Sequence, residues 1–207
     1  MKLSLLAVLL GTGVAAPQIY GLLKPAAFAA ALRRFPRSMN WGYFLMALGT
    51  AWFLYYLSIE SISDFEAYKP YMYLGFALVG VLTCIYVSDF LAVRGLAIVL
   101  MLLGKFMIDT ARWNDSDWRF VILLWAYILV AAGIWFTVSP WRLRDLLEWG
   151  TRTDRRVRVG SGFRLAFGLF VALLGLTVFR AVERLEAPSP AAQAPALVQP
   201  GDPLLRS

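Results

Sequence analysis

VILLWAYILVAAGIWFTV (residues 121–138), SPWRLRDLLEWGTRTDRRVRV (139–159) and LAFGLFVALLGLTVF (165–179) read as two membrane-spanning helices joined by a basic elbow. The first run is uncharged and close to the ~20 apolar residues that cross a hydrocarbon core about 30 Å thick. The elbow carries Arg142, Arg144, Arg152, Arg155, Arg156 and Arg158, and arginines clustered beside a span mark the cytoplasmic face of a membrane. The rest of the chain repeats this alternation of long apolar runs and short charged connections.

Composition agrees. Across 207 residues, 60% are hydrophobic and only 16% charged, with a mean hydropathy of +0.65, which places the chain among polytopic membrane proteins and calls for no second domain. The net charge of +7 sits between apolar runs too long for a soluble core. Its expected partners are therefore anionic lipid headgroups and not nucleic acid. The chain has no histidine, which removes His-based acid–base catalysis, His-ligated metal or haem, and Ser-His or Cys-His nucleophile pairs. The single Cys84 lies inside an apolar run, where a thiol packs as a small hydrophobe. No catalytic residue, metal site or cofactor is expected.

Six spans are predicted, at about residues 3–23, 41–58, 71–87, 91–109, 120–138 and 160–180. Together they make an all-α, polytopic transmembrane helical bundle over residues 1–186, followed by a Pro/Ala-rich tail over 187–207 that has little to bury and is expected to be disordered. Residues 3–23 also fit a secretory signal with small residues near Ala15 and Ala16. That alternative would send KPAAFAAALRRFPR (24–37), with four positive charges and no negative one, to the outer side. An uncleaved first span is the reading that respects the positive-inside rule.

Within residues 24–37, Phe28, Leu32 and Phe35 recur at helical spacing while Arg33 and Arg34 point elsewhere, which predicts a short amphipathic helix lying in the interface. In the last elbow Leu143, Leu146, Leu147 and Trp149 fall on one broad face and Arg144, Asp145 and Glu148 on the other, which predicts a second such helix. Glu60, Asp64, Glu66 and Lys69 form a small acidic loop assigned to the outside. The fourth span is the weak one: Arg94 and Lys105 are only roughly 17 Å apart along a helix, well short of the hydrocarbon thickness, so it crosses only if its long charged side chains snorkel.

Placing 24–37, 88–94 and 139–164 on one side puts twelve of the twenty basic residues there, with four of the thirteen acidic ones. The bias predicts both termini outside, and a cytoplasmic basic surface made of Arg33, Arg34, Arg37, Arg142, Arg144, Arg152, Arg155, Arg156 and Arg158.

GYFLMALGTAWF (42–53) matches GLFVALLGLTVF (168–179) at five of twelve positions, and AIVLMLLG (97–104) echoes both. These matches suggest three successive hairpin repeats. Gly42 with Gly49, Gly168 with Gly175, and Gly104 are read as helix-packing positions, since small residues let neighbouring helices approach closely.

The last hairpin runs from Gly133 through Ser139-Pro140, Arg142, Arg144 and Leu146, then Asp154-Arg155 and Arg158, to Gly160 or Gly162 and Leu174-Gly175. It resembles the YjeT-like bacterial inner-membrane family of unknown function, over about residues 121–180 only. The elbow departs from that pattern at Glu148-Trp149-Gly150-Thr151, and four further spans precede it. What the resemblance implies is a bacterial inner-membrane location, with no catalytic residues to carry over.

Two functional readings follow. In the first, the chain is a structural, assembly or accessory subunit that packs against other membrane subunits, or against copies of itself. In the second, it is a small transporter or channel for an ion, solute or lipid, with Lys105 and Asp109, one helical turn apart, as its intramembrane polar pair. The plain alternative for that pair is that both side chains reach the interface.

Overall fold

In a computed structural model the chain is described over residues 2–60, 66, 68–87, 89–114 and 116–185. The predicted tail and most of the acidic loop lie outside the described residues. The six long apolar helices are α1 (Leu3–Leu23), α3 (Met39–Ile59), α4 (Lys69–Tyr86), α5 (Leu91–Ala111), α6 (Arg119–Val138) and α8 (Asp154–Leu174). The last continues through a π-helical turn, Gly175–Phe179, into α9 (Arg180–Leu185). Two short helices, α2 (Pro25–Arg34) and α7 (Trp141–Gly150), form the elbows. The chain is an all-α, multi-pass bundle.

Local chemistry sets the helix ends. Proline opens α2 and α4, where a missing N–H costs nothing, and Asp154 stands in the first turn of α8, complementing the helix dipole. That helix begins six residues before the expected 160, so Arg155, Arg156 and Arg158 are helical and not loop. Just before α5, Phe90 takes a left-handed conformation, φ 55°, and packs on the cluster of Val93, Ala97, Phe136 and Leu143.

The span that looked weakest is the hub. Helix α5 lies between α3 and α6, with Val93, Ala97, Met107 and Ala111 wholly buried. Its two glycines explain the arrangement. Gly95 and Gly104 are nine residues apart, which is about 180° around a helix. The first abuts the α3 backbone at Leu45 and Met46, and the second abuts Ala126 and Val130 of α6.

A second close pair is α1 against α8, through Gly11, Ala15, Gly168 and Ala172. These two helices meet α5 and α6 in a core of Leu3, Leu6, Ala7, Met107, Ala111, Ile122, Ala126, Val171, Leu174 and Phe179. Helix α4 stands at the edge and touches α3 alone among its principal neighbours.

The hairpin is therefore not the packing unit. The principal contacts are α1 with α8, α3 with α5, α5 with α6 and α3 with α4. None of the three expected hairpin pairs is among them. The sequence repeat is likewise not a repeat of place, because Gly42 lies in the first turn of α3, against Leu91 at the start of α5, whereas Gly168 lies near the middle of α8, against the middle of α1.

Candidate functional site

Lys105 leaves α5 beside the C-terminal end of α3. Its ammonium donates to Asp109 Oδ2 at 2.8 Å, lies 3.6 Å from Glu60 Oε1, and sits 4.7 Å from the centre of the Tyr56 ring. Glu60 caps α3 just after its last residue, so the cluster is at the end of a span and not at mid-membrane. The Lys105, Asp109 and Glu60 side chains are 43%, 48% and 57% exposed. This is an open surface network, one cation between two carboxylates, with no enclosing wall. Among the described residues no further polar side chain is hydrogen-bonded to it, so it offers no relay into the bundle. Glu60 was not tied to the pair by sequence reasoning, because the link needs α3 and α5 to be neighbours.

At the opposite end the two elbows lock together. Arg33 Nε donates to Thr151 Oγ1 at 2.8 Å and Arg33 Nη2 donates to the Thr151 carbonyl. Thr151 is the buried C-cap of α7, and its hydroxyl also donates to the Leu147 carbonyl at 2.6 Å. Arg144 pairs with Asp145 at 2.9 Å and Glu148 at 3.8 Å. Arg156 lies over the Trp149 ring, 5.1 Å away, and donates to the Trp149 carbonyl at 3.3 Å. The side chains of Arg34, Arg37, Arg142, Arg152, Arg155 and Arg158 are exposed and make no hydrogen bond or ion pair among the described residues.

The apolar face of α7 is narrower than its pattern suggests. Leu143 and Leu147 pack inward, but Leu146 and Trp149 are exposed, as suits a helix with one side turned to lipid. A cavity of about 560 Å³, lined by Arg33, Asp145, Glu148, Trp149 and Arg152, lies between the elbows.

All five glycines singled out by sequence face a neighbouring helix: Gly42 and Gly49 meet α5, Gly104 meets α6, and Gly168 and Gly175 meet α1. Gly11, which faces Gly168, and Gly95 and Gly133, which meet α3 and α5, were not read as packing positions. The signal for one was present, since Gly11-xxx-Ala15 and Gly168-xxx-Ala172 are both small-xxx-small patterns. Among the described residues no three carboxylate or thiol side chains gather as metal ligands. Compared with protein-family models, with curated proteins and with solved structures, the chain matches none.

Proposed function

We propose that the chain is a non-enzymatic protein of the bacterial inner membrane, with both termini outside the cytoplasm, and that it serves as a structural, assembly or accessory subunit of a membrane complex. The observation that carries this reading is α4. Gly80, its one buried residue, rests against Thr50 of α3, while Leu74, Leu78, Val81 and Ile85 face away from the chain. A span held along one line at the edge of a bundle leaves most of its surface to a neighbouring membrane helix, from another subunit or a second copy. The resemblance of residues 121–180 to the YjeT-like family supports the location, and the excess of basic residues at the elbows supports the orientation.

Transport is the second reading and rests on the Lys105, Asp109 and Glu60 cluster. It stands second because those groups pair with one another at an open edge, and the unpaired polar atoms buried among the described residues, on Gln18, Arg94 and Ser161, belong to other parts of the bundle. Purification of the tagged protein in native nanodiscs, with mass spectrometry of what accompanies it, tests the first reading. A stoichiometric membrane partner or a defined homo-oligomer supports it. A clean monomer, together with solute flux in proteoliposomes that Lys105→Ala abolishes, overturns it in favour of transport.

A further inference from the structure

A second cavity, of about 510 Å³, opens where the first and last helices meet, and is lined by Lys2, Ser4, Leu5, Val8, Gly175, Leu176, Arg180, Glu183 and Arg184. Its lining is layered. Leu5, Val8 and Leu176 belong to the spans, and Arg180 stands one turn, roughly 6 Å, beyond Leu176.

The level of that turn in the membrane follows from α8. Asp154 to Leu185 form one continuous 32-residue rod, along which Arg158 and Arg180 are roughly 33 Å apart, close to the thickness of a hydrocarbon core. Arg180 therefore stands at the headgroup layer, with Arg184 one turn further out on the same face and Lys2 opposite, at the start of α1.

Glu183 offsets only one of these three charges, and among the described residues it is in no ion pair with them. Its two carboxylate oxygens accept from the Ser4 N–H at 2.9 Å and the Ser4 hydroxyl at 2.6 Å, so it serves as the cap that α1 lacks. Lys2, Arg180 and Arg184 make no ion pair among the described residues. Three cations stand over an apolar floor at a depth where phosphate meets acyl chain. They are also three of the eight basic residues on the side that otherwise carries the acidic ones.

We propose that this cavity binds an anionic phospholipid in the leaflet on the side of the chain termini, with its phosphate held by Lys2, Arg180 and Arg184 and its acyl chains lying along Leu5, Val8 and Leu176. The apolar floor selects a lipid over a free anion, and the three cations select an anionic headgroup over a zwitterionic one.

The test uses the full chain in dodecyl maltoside, with thermal unfolding followed as dioleoyl phosphatidylglycerol, dioleoyl phosphatidylcholine or inorganic phosphate is added. Phosphatidylglycerol should raise Tm at concentrations where the other two do not. In the Lys2→Gln, Arg180→Gln, Arg184→Gln variant its half-saturating concentration should rise about tenfold or more. Equal shifts from phosphatidylcholine, or the full shift from inorganic phosphate, overturn the proposal. So does loss of the shift in an Arg152→Gln, Arg155→Gln elbow variant with retention in the triple variant. Should the triple variant not fold, Arg184→Gln alone, at an exposed position, carries the same test with a smaller expected weakening, and an unchanged response to phosphatidylglycerol overturns the proposal.

Discussion

Ser4 and Glu183 lie 179 residues apart, and both oxygens of the Glu183 carboxylate accept hydrogen bonds from Ser4. The contact ties the beginning of the bundle to its end. Lys2, at the N-cap of α1, contributes no side-chain hydrogen bond, so the capping is done from the far end of the chain. Glu183→Ala should destabilise the fold by about 1 kcal/mol, the usual worth of an N-cap, read as a lower Tm in detergent. An unchanged Tm would show that the α1 terminus is satisfied without it.

Gly11 and Gly13 should answer the same substitution in opposite ways. A Cβ at Gly11 would stand 2.6 Å from the Ala172 nitrogen, among backbone atoms that cannot yield, while at Gly13 it meets nothing within 4 Å. Gly11→Ala should force α1 from α8 and cost about 1–3 kcal/mol. Gly13→Ala should stabilise by up to about 1 kcal/mol through helix propensity. Equal effects in thermal unfolding would refute the close α1–α8 packing.

Replacing Lys105 should matter little to stability. Its partners Asp109 and Glu60 are about half exposed, and pairs of that kind contribute less than about 1 kcal/mol after screening. Lys105→Ala should therefore leave the fold within about 1 kcal/mol of the parent, and the small loss should shrink further at high salt. A loss above about 2 kcal/mol would mean the cluster is buried by something other than this chain.

Trypsin provides a reading of the elbow contact. Arg33→Lys keeps the charge but cannot reproduce the two-pronged contact with Thr151, so it should loosen α7 and cost about 1 kcal/mol after allowance for partial exposure. Cleavage after Arg152, Arg155 and Arg156 should then quicken by several fold. Cleavage at the parental rate would show that the two elbows hold without Arg33.

Ser161 is wholly buried with no hydrogen-bond partner for its hydroxyl among the described residues, and it faces Gly21 of α1. Removing an unsatisfied hydroxyl relieves its desolvation cost. Ser161→Ala should be neutral or raise Tm by a few degrees, whereas a clear fall in Tm would reveal a partner for the hydroxyl.

Much of this architecture was legible in the residues. Run length and hydropathy located the six spans, the period of Phe28, Leu32 and Phe35 located α2, and the glycines at 42, 49, 104, 168 and 175 lay where helices meet. The spans and α2 are legible because each depends on one segment and its solvent: a run of about twenty apolar residues crosses a membrane whatever its neighbours do.

Which span lies against which was decided only by tertiary structure. Arg94 and Lys105 made α5 look the least secure helix, yet its glycines on opposite faces make it the one packed from both sides. The hairpins suggested by chain order gave way to α1 with α8 and α3 with α5, and Glu60 reached Lys105 and Glu183 reached Ser4 only through those pairings. The physical reason lies in the bilayer. Lipid tails are as apolar as leucine, so hydrophobicity drives a helix into the membrane but carries no information about its partner, and pairing is left to close van der Waals fit and a few polar contacts between surfaces far apart in the chain.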